Sequence, residues 1–281
     1  MEINAPEINF PAKVTASIVL YQQSAEELGP LFEALSRDPA LAAWTVVNNG
    51  GAEDACALAS SLGGRCLHPM RNLGFGAAHN LAWRDLEDAG APYHVILNPD
   101  ISLESGTLGE LAGIMAELPD AGLLMPKVMY PNGAEQRLCK LLPTPFDLFL
   151  RRFLGKVGSV FFRRRCEHYE LRNLDMSIPR EVPCLSGCFM FLRAAALREV
   201  GVFDERYFMY MEDVDLCRRI GMKYKTVFYP HISIVHGYAK GSYANLRLMT
   251  YHIQSALKYF AKWKWFGDEE RKALNRRLSP L

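Results

Sequence analysis

Residues 14–37 read VTASIVLYQQSAEELGPLFEALSR, and two periodicities meet inside them. VTASIVLY (14–21) is a short apolar run of β-forming residues. The stretch after it puts Leu28, Leu31, Phe32 and Leu35 at helical spacing, and Ser24 with Glu27 makes a capping box at its start. The same alternation recurs with WTVVN (44–48), RCLHP (65–69) and YHVILN (93–98), each beside an amphipathic stretch. Strands that alternate with helices predict an α/β fold built on a Rossmann-like, doubly wound, mostly parallel sheet. Ligands of such sheets bind beyond the carboxyl ends of the strands, and YQQ, NNGG, PMRN and NPD all fall at those ends.

The pattern changes downstream. GLLMPKVMYPNGAEQRL (122–138) reads as a hairpin turning at Asn132-Gly133, and VPCLSGCFMFLR (182–193) as a further strand. Between them, residues 137–165 carry eight basic residues against one acid, Asp147, interleaved with Phe146, Phe149, Phe153, Phe161 and Phe162. Two readings stay open for this insert: packing on the core, or a basic aromatic face toward anionic lipid. LRLMTYHIQSALKYFAKWKWF (246–266) is a long helical pattern; its first half has the character of a packed helix and its Lys-Trp end that of an interfacial anchor. With no internal repeat or low-complexity linker, residues 1–281 read as one domain.

The 281 residues are 49% hydrophobic, enough for a large core, and 32 basic residues nearly balance 31 acidic ones. That balance argues against nucleic acid as a partner. Seven cysteines with no CxxC pair predict reduced thiols in a cytoplasmic setting. MEINAPEINF at the start has neither a basic nor an apolar signal region, and no apolar run is long enough for a spanning helix. The expectation is a cytoplasmic protein, soluble or peripheral on a membrane surface.

Four segments carry candidate chemistry. RNLGFGAAHN (71–80) holds a GxGxxH pattern after the third strand: Gly74 and Gly76 either let backbone amides approach a phosphate at a helix start or simply form a glycine turn. A dinucleotide oxidoreductase is disfavoured, because SIVLYQQSAEELG offers no GxGxxG after the first strand. NPD (98–100) puts Asp100 just past an apolar strand, where a carboxylate can hold a divalent cation, with Asn98 on the same side of the turn. His236 ends a further strand, and paired with Asp100 would give a mixed N,O set suited to Mg²⁺ or Mn²⁺; the alternative for it is a structural histidine. In MYMEDVDLCRRI (209–220), a helix beginning near Met211 places Asp213, Leu216, Cys217 and Ile220 on an inward stripe and Glu212, Asp215 and Arg219 on the other. Asp215 and Arg219 then read as a surface i,i+4 bridge, and Asp213 as a buried cap or a general base.

In this order, a VVxN strand end, RNLGFGAAHN, NPD, then GCFMFLRAAALREVGVFDERYFMYMEDVDLCRR (187–219) and a strand-terminal His, the motifs resemble the inverting glycosyltransferases of family 2, most closely their rhamnosyltransferase-like branch. The resemblance runs from SIVLY to HGYAKGS, nearly the whole chain. It implies a GT-A fold with a nucleotide-sugar-binding half (about 12–120), an antiparallel acceptor and catalytic half (about 121–240) and a C-terminal helical tail (241–281). By position it implies that Tyr21 and Asn48 lie at the nucleotide base, Arg71 and Asn72 line the nucleotide-sugar pocket, and Gly74, Gly76 and Asn98 adjoin it. It likewise makes Asp100 and His236 metal ligands for Mg²⁺ or Mn²⁺ and Asp213, beside Glu212, the catalytic base. Asn48 stands where the family usually has Asp, which leaves the base open between thymine and uracil. The implied partners are a nucleotide-diphospho-sugar donor, dTDP-L-rhamnose before a UDP-sugar, and a glycan or polyprenyl-diphosphate-linked acceptor at the inner-membrane surface. A silent sugar-nucleotide-binding protein of the same fold is the remaining alternative.

Overall fold

The computed structural model describes residues 13–149, 162–237 and 246–281. Strands β1 (Val14–Leu20), β2 (Leu41–Asn48), β3 (Arg65–Leu67) and β4 (Tyr93–Leu97) alternate with helices α1 (Ala25–Ser36), α2 (Glu53–Ser61) and α3 (Phe75–Leu86). β1 pairs in parallel with β2 and β4, and β2 with β3. Helices cover both faces of this half, so β1 is buried along nearly its whole length and needs no polar alternation. α1 starts at the expected capping box and buries Leu28, Leu31, Phe32 and Leu35, with Phe32 against Trp44 of β2.

The second half turns antiparallel. After β5 (Ile101–Ser102), α4 (Thr107–Glu117) and β6 (Ala121–Met129) come short helices α5 (Pro145–Phe149) and α6 (Arg163–Tyr169), then β7 (Arg180–Glu181), β8 (Phe189–Arg193), α7 (Ala194–Val200), α8 (Glu212–Gly221), β9 (Lys225–His236), α9 (Leu246–Trp263) and α10 (Glu269–Asn275). Among the described residues the sheet runs β3-β2-β1-β4-β8-β6-β9-β5, with β7 also on β9. β8 is antiparallel to both β4 and β6, and β6 is parallel to β9. Pro126 pairs with Tyr229 but Lys127 pairs with Ser233, so Pro230, His231 and Ile232 bulge out of register. Proline cannot donate to a ladder, and the bulge it occupies re-aims the end of β9. That end carries His236 onto β5, where Ile101 pairs with it.

Several expectations change here. The hairpin turns at Asn132-Gly133, but its return arm is a single bridge between Met129 and Glu135. Only Phe189–Arg193 of the 182–193 run is strand. The expectation of reduced thiols throughout is corrected at one pair: α2 packs on β3, bringing the Cα atoms of Cys56 and Cys66 within 5.5 Å, and the two are joined as a disulfide. The start of the basic insert packs on the core, with Cys139, Leu141 and Leu142 buried, Asp147 holding Arg165, and Phe146 edge-on to Phe162. Phe153 and Phe161 lie outside the described residues, as do Met1–Ala12 and the AKGS stretch after His236. The Lys-Trp end of the tail splits: Lys262 and Trp263 turn inward to bind Asp215, while Trp265 and Phe266 stay exposed. Among the described residues, no helix is long and apolar enough to cross a membrane.

Candidate active site

Three loops converge beyond the ends of β4 and β9. Asn98 and Asp100 follow β4 directly, and the Gly237 amide donates to the Asp100 carbonyl, so the end of β9 is tied to the NPD turn. His236 Nε2 lies 3.2 Å from Asp100 Oδ1 and 3.4 Å from Asn98 Nδ2. The imidazole is buried and the Asp100 carboxylate is 40% exposed, so the pair opens to the surface on the carboxylate side. Neighbouring ligands of an octahedral cation held at about 2.1 Å stand about 3 Å apart. One imidazole nitrogen and one carboxylate oxygen at this separation therefore fit Mg²⁺ or Mn²⁺, with the other positions left for water and phosphate oxygens.

The segment Ser186–Cys188 joins this pair to α8. The Asn98 amide donates to the Cys188 carbonyl at 2.9 Å, while the Gly187 amide donates to Asp213 Oδ2 at 3.0 Å. Burial pushes the Cys188 thiol up to about 12, and the negative charges of Asp100 and Asp213 push the same way. Both carboxylates thus flank one cysteine. Val214 N donates to the second oxygen of Asp213 at 2.8 Å, and a Cβ on Gly187 would crowd the Asp213 side chain. The carboxylate is half-buried and lines a cavity of about 930 Å³ together with Glu212, His236, Ser186, Arg137 and Tyr169.

The faces of α8 differ from the helical-wheel expectation. Asp213, assigned to the inward stripe, borders the cavity, whereas Glu212 and Asp215, assigned outward, are buried. The Asp215–Arg219 bridge exists at 2.8 Å but is no surface pair: Asp215 is fully buried and also accepts from Lys262 Nζ and Trp263 Nε1, both at 2.7 Å. The cause is α9, which covers the flank of α8 that a lone amphipathic helix would leave to solvent. Arg218 is likewise buried, paired bidentately with Asp268 and stacked on Trp263. Burial, then the neighbouring Asp213 charge, raises Glu212 well above the usual carboxylate range. Two adjacent carboxyls are thereby set apart: Glu212 is a buried acid and Asp213 an acceptor held by backbone amides.

Tyr210 and Met211, just before α8, are left-handed at φ 70 and 67. This strained entry is braced by α9: Ser255 Oγ donates to Met209 O, Lys258 Nζ to Arg206 O, and the Tyr251 and His252 rings lie on Phe208 and Tyr210.

On the other side of the sheet end the remaining sequence candidates are more inward-looking than expected. Asn48 is buried; its Oδ1 accepts from the amides of Gly50, Gly51 and Ala52, and its Nδ2 donates to Glu53. Its carbonyl closes the turn into α2, leaving only an amide hydrogen to offer a base. Tyr21 is half-exposed over Gly50, where any Cβ would strike its ring, so an open aromatic face stands beside that turn. Arg71 and Asn72 are exposed, and Asn72 Oδ1 accepts from Gly74 N. Of the amides expected to approach a phosphate near Gly74 to Gly76, two are engaged within the chain. Gly74 N is taken by Asn72 and Phe75 N by Phe208 O, and the glycines are there because Phe208 and Phe203 press on them. Sequence reading did not assign these contacts to Gly187, Gln136, Lys262 or Trp263, because each meets its partner across a long stretch of chain.

Comparisons with known proteins agree with this architecture. Residues 146–278 match the model of Glycosyl transferase family group 2. Over 183 residues the chain is 33% identical to the N-acetylglucosaminyl-diphospho-decaprenol L-rhamnosyltransferase of Mycobacterium tuberculosis, a match covering 61% of this chain and 58% of that protein. The match therefore spans little more than half the length of the mycobacterial relative. Among solved structures, a mannosyltransferase from Pyrobaculum calidifontis, in complex with GDP-Man and Mn²⁺, aligns with a TM-score of 0.60 at 16% identity, over 94% of this chain and 68% of the other. GalNAc-T7, solved with UDP, GalNAc and Mn²⁺, aligns at 0.65 with 13% identity, over 93% and 50%. At these identities the two structures speak to the fold, which is GT-A.

Proposed function

We propose that this chain, a rhamnosyltransferase-like protein of glycosyltransferase family 2, is an inverting, metal-dependent transferase moving L-rhamnose from dTDP-L-rhamnose to a polyprenyl-diphosphate-linked glycan. The observation that carries the reading is one site: Asp213, amide-held and facing a cavity, is linked through Ser186–Cys188 to Asp100 and His236. In this reading Asp213 takes the proton of an acceptor hydroxyl as that oxygen bonds to the anomeric carbon and the bond to the diphosphate breaks on the opposite side. One in-line displacement inverts the configuration. Burial disfavours the charged form of Glu212, whereas Asp213 is half-buried at the cavity, so Asp213 is the one of the pair placed to act as the base. Asp100 and His236 would hold Mg²⁺ or Mn²⁺, which supplies charge neutralisation at the leaving diphosphate. Tyr21, with its open ring, and the exposed Arg71 and Asn72 take the nucleotide and sugar side.

The donor and acceptor rest on the rhamnosyltransferase name of the mycobacterial relative and on the half-exposed aromatics Phe146 and Phe162 beside a basic insert, suited to a lipid-bearing acceptor at the inner-membrane surface. Residues 1–281 act as one domain, with donor half, acceptor half and tail as set out above. The test incubates the protein with dTDP-L-rhamnose or UDP-sugars, Mg²⁺ or Mn²⁺, and an N-acetylglucosaminyl-diphospho-polyprenol. Rhamnosylated lipid formed only with metal and the dTDP donor is expected. Transfer from a UDP-sugar alone would replace the donor, and absence of transfer from every donor would reject the reading.

A further inference from the structure

The two ring nitrogens of His236 face different partners. Nε2 is turned to Asp100 and Asn98, while Nδ1 lies 2.9 Å from Oε1 of Gln136. Gln136 is held from its other end: Nε2 donates to the His236 carbonyl at 2.7 Å and to the Met129 carbonyl at 3.4 Å. Both of those oxygens are pure acceptors, so the amide nitrogen has to face them and Oε1 has to face the ring. A carbonyl oxygen cannot donate, and Nδ1 must therefore carry the proton. In the neutral ring Nε2 is then the nitrogen whose lone pair a cation beside Asp100 would take.

The backbone places this clamp. Gln136 N donates to Val128 O at 2.8 Å on the return arm of the β6 turn, and β6 pairs with the end of β9 through Val128–Ile234 and Met129–Val235. Gln136 is 4% exposed, so bulk water does not substitute for its carbonyl. The short return arm, a single bridge, is thereby explained: its task is to deliver one side chain to the far face of His236.

We infer that Gln136 is a positioning residue that fixes His236 as a cation ligand by accepting its Nδ1 proton. The consequence for metal rests on the ligand pair in the proposed function; the tautomer rests on geometry alone. Residues behind a ligating histidine typically change metal affinity about 10- to 100-fold. The experiment titrates Mn²⁺ into the wild type and Gln136→Met, reading free Mn²⁺ by electron paramagnetic resonance. Gln136→Met, similar in size but with no acceptor, is expected to weaken binding about 10- to 100-fold. Ring-nitrogen NMR of the unmodified protein, with and without diamagnetic Mg²⁺, is expected to show a proton on Nδ1 in both states. A bare Nδ1, or equal Mn²⁺ affinity in wild type and Gln136→Met, overturns the inference while leaving the metal site standing. A wild type that binds no Mn²⁺ overturns the metal assignment and this inference with it.

Discussion

Asp215→Ala tests whether α8 is held from behind by the C-terminal helix. The carboxylate is fully buried and accepts from Arg219 Nε at 2.8 Å, Lys262 Nζ at 2.7 Å and Trp263 Nε1 at 2.7 Å. Removing one partner of a buried ion pair costs roughly 3–5 kcal/mol, because the other is left charged and unsolvated. Two features here moderate that figure. Lys262 keeps Asp204 at 2.8 Å, and Arg219 keeps the carbonyls of Val200, Gly201 and Val202. The indole N–H and the second cationic contact are still lost, which puts the expected cost near 3 kcal/mol, at the lower end. Urea unfolding followed by circular dichroism measures it. Trp263 fluorescence should change in the folded state as the indole loses its acceptor. A cost below about 1 kcal/mol, the ordinary range for an exposed i,i+4 pair, would refute the brace and return Asp215 to the surface.

His94→Gln tests the buried polar cluster under β1, where Ser17 contacts His79 Nδ1 at 2.8 Å and His94 Nε2 at 2.9 Å. Burial lowers both histidines to about 3, so only the unfolded chain takes up their protons below about pH 6.5, and stability falls as pH falls through that window. The expected outcome is that His94→Gln loses about 1.4 kcal/mol per pH unit less than wild type between about pH 6 and about pH 4; parallel pH profiles would contradict it. Gly74→Ala is expected to lower the melting temperature by many degrees, since φ is 81 and a Cβ would strike the Phe208 carbonyl that receives Phe75 N. Hydrogen exchange should show the Phe75 amide losing protection; an unchanged melting temperature would count against the packing account.

The alternation of strand and helix was legible because it is local: β1 through α3 follow from period and capping within a few residues. Asp100 and His236 were legible for a related reason. Both end strands, and strand ends of a doubly wound sheet share one crevice. Burial set by distant covering was not legible. Helical periodicity sorted Asp213 from Asp215 correctly into different faces but reversed which one is buried, because Lys262 and Trp263 arrive from 47 or more positions away. Asn48 and Gly74 suit ligand contacts by residue type, but the type alone does not show that Asn48 Oδ1 also accepts from the amides of Gly50–Ala52 or that Asn72 takes the Gly74 amide. Gln136 gave no signal at all: a lone glutamine in a polar turn is common, and its partner is 100 residues away.

The most direct test of the account is Asp213→Asn, measured for donor binding and for transfer in the same preparation. The amide keeps the size of the side chain and an oxygen for the Gly187 amide, but cannot take a proton from a hydroxyl. Nucleotide-sugar affinity within a few-fold of wild type, with transfer reduced about 100-fold or more, is the expected result. Transfer at the wild-type rate would show that Asp213 is not the base and that the site has been assigned to the wrong carboxylate.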